Sequence, residues 1–315
     1  MKKLIYIAMF LLINSGLFAQ QFPFMEGYNV NPFNMSPSFA GLKNIKTLFL
    51  DYRSDWTGVD GGPVTCQLSY NDKLGSKVGL GGRFIYDKTD IFRQTMLMGT
   101  YTYEIQVAKE HFINMGLSAG FYKNSIDLGK YYNDQNYVQD AILIIGTEKS
   151  KIKVATDISA IYRFRNIEGG ILFSNVMYGT AKYSNTEMTY KPLKNYLIHA
   201  SYDYRINDAW AVKPFVLIRG GQQYPSQLEL ATEVKYSERF WASLVFRTGG
   251  IWGMGFGAEV YDGIILNYSY NLSTNVALNT FGSHQLTLGV KLFKASITNQ
   301  GAGSRSGNGL EEVRK

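Results

Sequence analysis

The chain has 315 residues, 45% hydrophobic, 15% aromatic and 18% charged, with 23 Tyr, 19 Phe and 32 Gly but only 7 Pro, 1 Cys and 3 His. The aromatic load excludes a disordered chain, the single cysteine excludes an intrachain disulfide scaffold, and the charged share lies below the roughly 25% usual for a soluble domain. The formal net charge of +7 is spread along the chain, with Lys2 and Lys3 in the leader described next, so a nucleic-acid partner is not expected.

Residues 1–20 read as a secretory signal peptide. Lys2 and Lys3 form a positive start, Leu4 to Ile13 an apolar core, and cleavage is expected near Ala19 or Gln20. The apolar core is too short to cross a bilayer as a helix, which takes about 20 residues. Residues 21–44 follow, with Pro23, Pro32 and Pro37 among four asparagines and four phenylalanines. Such a segment cannot be a membrane strand, and it is too aromatic to float in water. It is expected to pack in the lumen or at the periplasmic mouth, as a plug or a periplasmic segment.

From residue 45 to 294 the chain reads in period two. In 194–206, Tyr196, Ile198, Ala200, Tyr202, Tyr204 and Ile206 share one parity, against Leu197, His199, Ser201, Asp203 and Arg205 on the other. Strand side chains alternate between faces, so one face is apolar and the other mostly polar. The pattern recurs in 152–165, 227–236 and 264–272. These runs are longer than the five or six residues of a soluble strand and match the roughly 9–11 of a transmembrane one. With a signal peptide and abundant Tyr, they predict an all-β fold, a transmembrane antiparallel barrel of about 14 strands. The strands are expected near 46–54, 63–71, 77–88, 92–105, 110–123, 151–165, 167–176, 194–206, 209–219, 226–238, 240–249, 252–262, 264–272 and 283–294. Connections after odd-numbered runs include the long stretches 124–150, 177–193 and 273–282; those after even-numbered runs are short. Barrels of this kind place long loops outside and short turns in the periplasm, which predicts both termini in the periplasm. Glycines in 79–82 and 249–257 are expected to relieve crowding in the wall. Residues 295–315, with their Gly/Ser run, are expected to form a flexible periplasmic tail.

The inward face carries Asp51, Arg53, Asp157, Arg163, Arg165, Asp203, Arg205, Glu229, Glu233, Lys235, Arg247 and Glu259. The signs are mixed, which favours a narrow or plugged lumen crossed by ion pairs over an open pore. Chemistry finds little support. His199 and Asp203 lie about 13 Å apart along one strand at 3.3 Å per residue, too far to form half of a hydrolytic site. His111, His199, His284 and Cys66 show no metal-ligand spacing. Gly253, Gly255 and Gly257 alternate inside a strand rather than in the strand-to-helix turn of a dinucleotide site. No catalytic, cofactor or metal site is expected.

Three local patterns carry a resemblance to a known family. The first is Tyr28-Asn29-Val30-Asn31-Pro32 followed by Ser36-Pro37-Ser38-Phe39-Ala40-Gly41. The second is Arg53, Trp56 and Gly58, then Gly62-Pro63-Val64-Thr65. The third is Gly282-Ser283-His284-Gln285 entering the last strand. In this order they resemble the PorP/SprF outer-membrane proteins of the type IX secretion system of Bacteroidetes. Ser36 stands where that pattern has Asn, and Gln285 where it has Glu. The resemblance implies a non-enzymatic outer-membrane protein in contact with lipid, whose partners are a secreted adhesin held through its C-terminal domain and the secretion machinery: the translocon or the periplasmic ring and motor proteins. It makes Asn31, Pro32, Pro37, Ala40, Gly41, Arg53, Trp56, Gly58, Pro63, Thr65, Gly282, Ser283 and His284 candidates for partner or plug contacts. Tyr131, Tyr132, Tyr137, Tyr178, Tyr183 and Tyr190, in the two longest loops, are candidates for recognition, since tyrosine gives contact area at low entropy cost. The alternative from another class is a passive diffusion channel.

Overall fold

The computed structural model describes residues 24–43, 45–126, 152–174, 176, 179–183, 186–190, 195–221, 224–274 and 282–292. The leader 1–20, the tail 295–315, and Tyr131, Tyr132, Tyr137 and Tyr178 lie outside the described residues.

The wall is built from β1 (Lys46–Ser54), β2 (Val64–Leu74), β3 (Val78–Thr89), β4 (Phe92–Ala108), β5 (His111–Ile126), β6 (Lys153–Phe164), β7 (Ile167–Ser174), β10 (Asn195–Tyr202), β11 (Tyr204–Arg205), β12 (Trp210–Gly221), β13 (Tyr224–Tyr236), β14 (Phe240–Arg247), β15 (Ile251–Tyr261), β16 (Ile264–Ser273) and β17 (Ser283–Leu292). β10 and β11 are one wall strand interrupted at Asp203, which gives a closed antiparallel barrel of 14 strands. Closure runs through β1 and β17, from Lys46↔Leu292 to Ser54↔His284, and through β10, which pairs with both β7 and β12. A bilayer offers no water to stray N–H and C=O groups, so a spanning sheet must close on itself.

Parity follows the sequence pattern. Leu50, Leu68, Leu97, Phe121, Leu244, Phe256 and Leu288 point outward and are exposed. Each would cost roughly 1.5–3 kcal/mol left in water; against acyl chains the same surface is favourable. The polar parity points inward and is buried: Asp51, Gln67, Ser69, Asn71, Ser118, Ser159, Glu229, Glu233, Arg247, Asn267 and Thr287.

The two ends of the barrel differ. At one end the turns are tight, with left-handed backbone at Glu110, Arg165, Ser237 and Glu238, as primed hairpin turns require. At the other end β1 and β2 are joined by 55–63, and the sequence intervals 127–152, 175–194 and 274–282 separate the end of β5 from β6, β7 from β10 and β16 from β17. The stretch 177–193, expected as a plain loop, contains a separate hairpin, β8 (Gly179–Tyr183) and β9 (Thr186–Tyr190), which pairs only with itself.

One expectation needs correction. Three of the charges assigned to the lumen are elsewhere. Arg165 pairs with Glu110 and Arg205 with Glu238, in exposed positions at the short-turn rim, and Asp203 is exposed in the break between β10 and β11. The alternation persists there, but the strands have already left the barrel interior. The described part of the N-terminal segment begins at the long-loop end. Phe24 lies among the strand ends of the long-loop end: its carbonyl accepts from Arg53 Nη1 at 3.1 Å and its ring lies 4.6 Å from Arg219 Cζ. Residues 24–43 therefore run down the lumen to the start of β1. Phe24 has these two cationic partners at that mouth, and a strand pattern carries no information about which end a preceding segment enters.

Candidate functional site

The site is the strap, residues 24–43, and the wall that receives it. Asparagines and prolines keep it out of the ladder and let it wind. Pro32 and Pro37 each open a one-turn 3₁₀ helix, at Pro32–Asn34 and Pro37–Phe39, after a first such turn at Gly27–Asn29. The preset φ of proline and its missing N–H suit such a first position. Met25, Tyr28, Phe33, Met35, Phe39 and Ala40 are all buried.

The lumen is two-sided, which the sequence pattern did not reveal. Ile161, Leu172, Leu197, Phe215 and Leu217 point inward and form one cluster with Tyr28, Phe33, Met35 and Phe39 of the strap. The wall of β1, β2, β16 and β17 is mostly polar, with Phe49 and Ile265 as buried apolar exceptions. The strap is matched to both. Tyr28 stacks on Phe215 with ring centroids 5.0 Å apart. Asn31 Nδ2 donates to Ser69 Oγ at 2.9 Å, and Asn34 Nδ2 to Asp51 Oδ2 at 2.9 Å.

At the long-loop end the strap is held by charge. Glu26 lies 2.9 Å from Arg53 Nη1 and 3.1 Å from Arg247 Nη1, and Asn271 Nδ2 donates to its other oxygen. Arg53 also grips Asp55, with Nη2 at 2.7 Å, and Arg247 grips Glu229, with Nε at 2.7 Å. The Tyr28 hydroxyl donates to Glu229. Two guanidiniums thus serve three carboxylates, of which Glu26 and Glu229 are buried. Such buried pairs are better evidence for a fixed position than for net stability. Gln285 Oε1 accepts from the Glu26 N–H at 2.8 Å, while its Nε2 faces Asp51 Oδ1 at 3.4 Å. An amide suits this place: a carboxylate would set a second anion against Asp51.

At the short-turn end the backbones nearly touch. Gly41 has φ +70°, and a Cβ there would lie 2.6 Å from the Asp72 carbonyl oxygen; a Cβ on Gly79 would lie 2.1 Å from the Ala40 carbonyl oxygen. That same oxygen accepts from Thr102 Oγ1 at 2.9 Å, and Gly41 N–H donates to Asn71 Oδ1 at 3.1 Å. Gly79 and Gly81 therefore make room for the strap, at Ala40 and at the Phe33 ring.

The second and third sequence patterns meet at the long-loop end, whereas Ala40 and Gly41 of the first lie at the short-turn end. The segment 55–62 has positive φ at Trp56 and Gly58, and the Thr57 N–H donates to the Gly282 carbonyl at 3.0 Å. Holding a tryptophan at φ 53° costs roughly 1–3 kcal/mol. The Asp55–Pro63 hydrogen bond of 2.9 Å and the Gly282 contact hold the loop in place. Trp56, Arg53, Gly282 and Ser283 border one cavity with Glu26 and Arg247. Thr65 is set apart, donating to Asp87 at 2.7 Å. His284 belongs to the outer face, where its Nδ1 lies 2.6 Å from the Tyr268 hydroxyl and its ring 5.0 Å from that of Tyr270. Tyr183 and Tyr190 close and open the β8–β9 pair, opposite Thr186 and Gly179. Glu26, Asn34 and Glu229 carry the strap yet were not singled out by motif. The signal available was that Glu26 is the one acid in residues 21–44.

His199 is buried between aromatic rings, 5.5 Å from Phe39 and 5.9 Å from Phe215, with neither ring nitrogen hydrogen-bonded. Asp203 is exposed, with Lys213 3.9 Å away. The two are not brought together. Among the described residues no cluster of three or more His, Cys, Asp or Glu could hold a metal ion.

The family model described as type IX secretion system membrane protein PorP/SprF matches residues 17–290. No curated protein matches the chain significantly. Among solved structures, the toluene transporter TbuX of Ralstonia pickettii is 10% identical with TM-score 0.51, over 82% of this chain and 92% of that one. The toluene transporter TodX of P. putida is 9% identical over the same shares, with TM-score 0.47. The outer membrane protein Omp33 of Acinetobacter baumannii is 8% identical over 79% and 98%, with TM-score 0.47. At these identities the likeness concerns the barrel alone.

Proposed function

The chain belongs to the PorP/SprF family of type IX secretion system membrane proteins, and on that premise we propose that it works as a sealed outer-membrane docking barrel. In this reading its long-loop end holds a secreted adhesin through the adhesin's C-terminal domain, and its short-turn end faces the periplasmic machinery. The observation that supports a platform over a conduit is the strap. Charge pairs at one end and backbone contact at the other fix it across the lumen. The segment 55–62, tied to Gly282, presents a rigid surface beside it. Rigid aromatic loops suit recognition because little entropy is lost on contact.

The test is a capture experiment. The chain, tagged at its C-terminus, is purified from outer membranes in mild detergent, and co-purifying chains are identified by mass spectrometry. A very large surface protein retained through its C-terminal domain is the expected result. Recovery of ring or motor proteins alone would move the chain to the core machinery. A bare barrel that conducts steadily in planar bilayers would favour the diffusion channel.

A further inference from the structure

Beside the strap, toward the long-loop end, lies a cavity of about 150 Å³. Phe24, Met25, Met35, Met96, Met98 and Leu172 give it an apolar wall. Ser174 and Asn195, at the ends of β7 and β10, and Gln94 near the start of β4 form its rim, so it opens toward the long-loop mouth. A cavity of roughly this volume with apolar walls admits one benzene ring. Methionine walls adapt their shape and make favourable sulfur–ring contacts.

One wall is polar. Arg83 is 7% exposed, its Nη2 lies 3.1 Å from Asp157 Oδ2, and its guanidinium stacks over Phe33 at 5.3 Å. Its Nε has no hydrogen-bond partner among the described residues. A buried donor left so costs about 1–3 kcal/mol, and an acceptor brought in by a ligand would remove that cost. Farther down the lumen, the Asn31–Ser69, Ser38–Ser159 and Gly41–Asn71 contacts hold the strap against the wall. On that side the cavity is bordered by Asn34 and Met35 of the strap. An opening at the long-loop mouth fits a side chain on a docked protein.

We propose that this cavity receives one aromatic side chain, tyrosine or phenylalanine, from the protein docked at the long-loop end. The inference rests on the docking reading above and names the contact that would anchor it. An aromatic knob in a desolvated pocket is the commonest form of interface hot spot. A tyrosine hydroxyl could accept from Arg83 Nε and donate to the Asp157 carboxylate.

The test uses the intact chain in detergent micelles with ¹³C-labelled methionine methyls, titrated with N-acetyltyrosinamide and, as control, N-acetylalaninamide. Saturable shifts of the Met25, Met35, Met96 and Met98 signals with the tyrosine probe alone are expected. Those shifts should vanish in Ala155→Trp, which fills the cavity from the β6 wall, provided that variant keeps the heat-modifiable gel mobility of a folded barrel. No saturable shift in the wild-type chain, or an equal shift with the alanine probe or in a folded Ala155→Trp barrel, would overturn the proposal. So would faster toluene entry into liposomes carrying the protein, which would assign the cavity to a translocated small molecule. The titration needs no secreted partner. A negative titration beside successful capture removes the pocket and leaves the anchor; the reverse removes the anchor and with it the protein source of the ring.

Discussion

Glu26→Ala tests whether charge holds the strap. The Glu26 carboxylate contacts two arginines, at 2.9 and 3.1 Å, and its own side chain is 4% exposed. Hydrogen bonds to charged groups contribute about 1.5–3 kcal/mol each. The lower figure applies, because Arg53 keeps Asp55 and Arg247 keeps Glu229, so neither cation is left bare. Two such contacts give about 3 kcal/mol, or about 100-fold in the equilibrium between docked and undocked strap. The assay is single-channel recording in planar bilayers, where the wild-type barrel should be silent. The variant should show openings with a probability raised about 100-fold. The matched control is Arg165→Ala, which removes an exposed rim pair with Glu110; such pairs contribute about 0–1 kcal/mol, and its trace should equal wild type. A Glu26→Ala barrel as silent as wild type, or openings in Arg165→Ala of the same frequency, would refute the reasoning.

Further outcomes follow from the same geometry. Gly79→Val should displace the lower strap, since even its Cβ would lie 2.1 Å from the Ala40 carbonyl oxygen; overpacking of this kind costs about 1–3 kcal/mol, read as earlier loss of heat-modifiable gel mobility. Gln285→Glu should lower thermal stability by setting a second carboxylate beside Asp51, whereas Gln285→Met, which adds no charge, should cost less in the same melt. Deleting 177–193 should abolish surface retention of the adhesin while the barrel still assembles, measured by surface labelling of intact cells; full retention would remove the β8–β9 hairpin from the docking surface.

Much of the wall was legible from parity alone. The run 194–206 places Ile198 and Tyr202 outward and His199 and Ser201 inward, as the structure has them. The break at Asp203 could not be read, because the alternation runs through it unbroken. The same run carries Leu197 on the inward parity, and with Leu217 and Ile161 it makes one side of the lumen apolar. Taken singly, each of these reads as an exception to the pattern. Only when β6, β7, β10 and β12 stand side by side do they form a surface that Tyr28 and Phe39 can cover.

The sequence by itself determined the class of fold, the number of wall strands and which end carries the long loops. Those follow from a local rule: successive strand side chains face opposite sides, and a strand must be long enough to cross the bilayer. The tertiary structure alone decided that the strap enters at the long-loop end, that Glu26 meets Arg53 and Arg247, and that Tyr28 meets Glu229 across 201 positions of sequence. The interior of a barrel exists only after its first and last strands pair. Before β1 meets β17, no spacing along the chain says which inward residues will face one another.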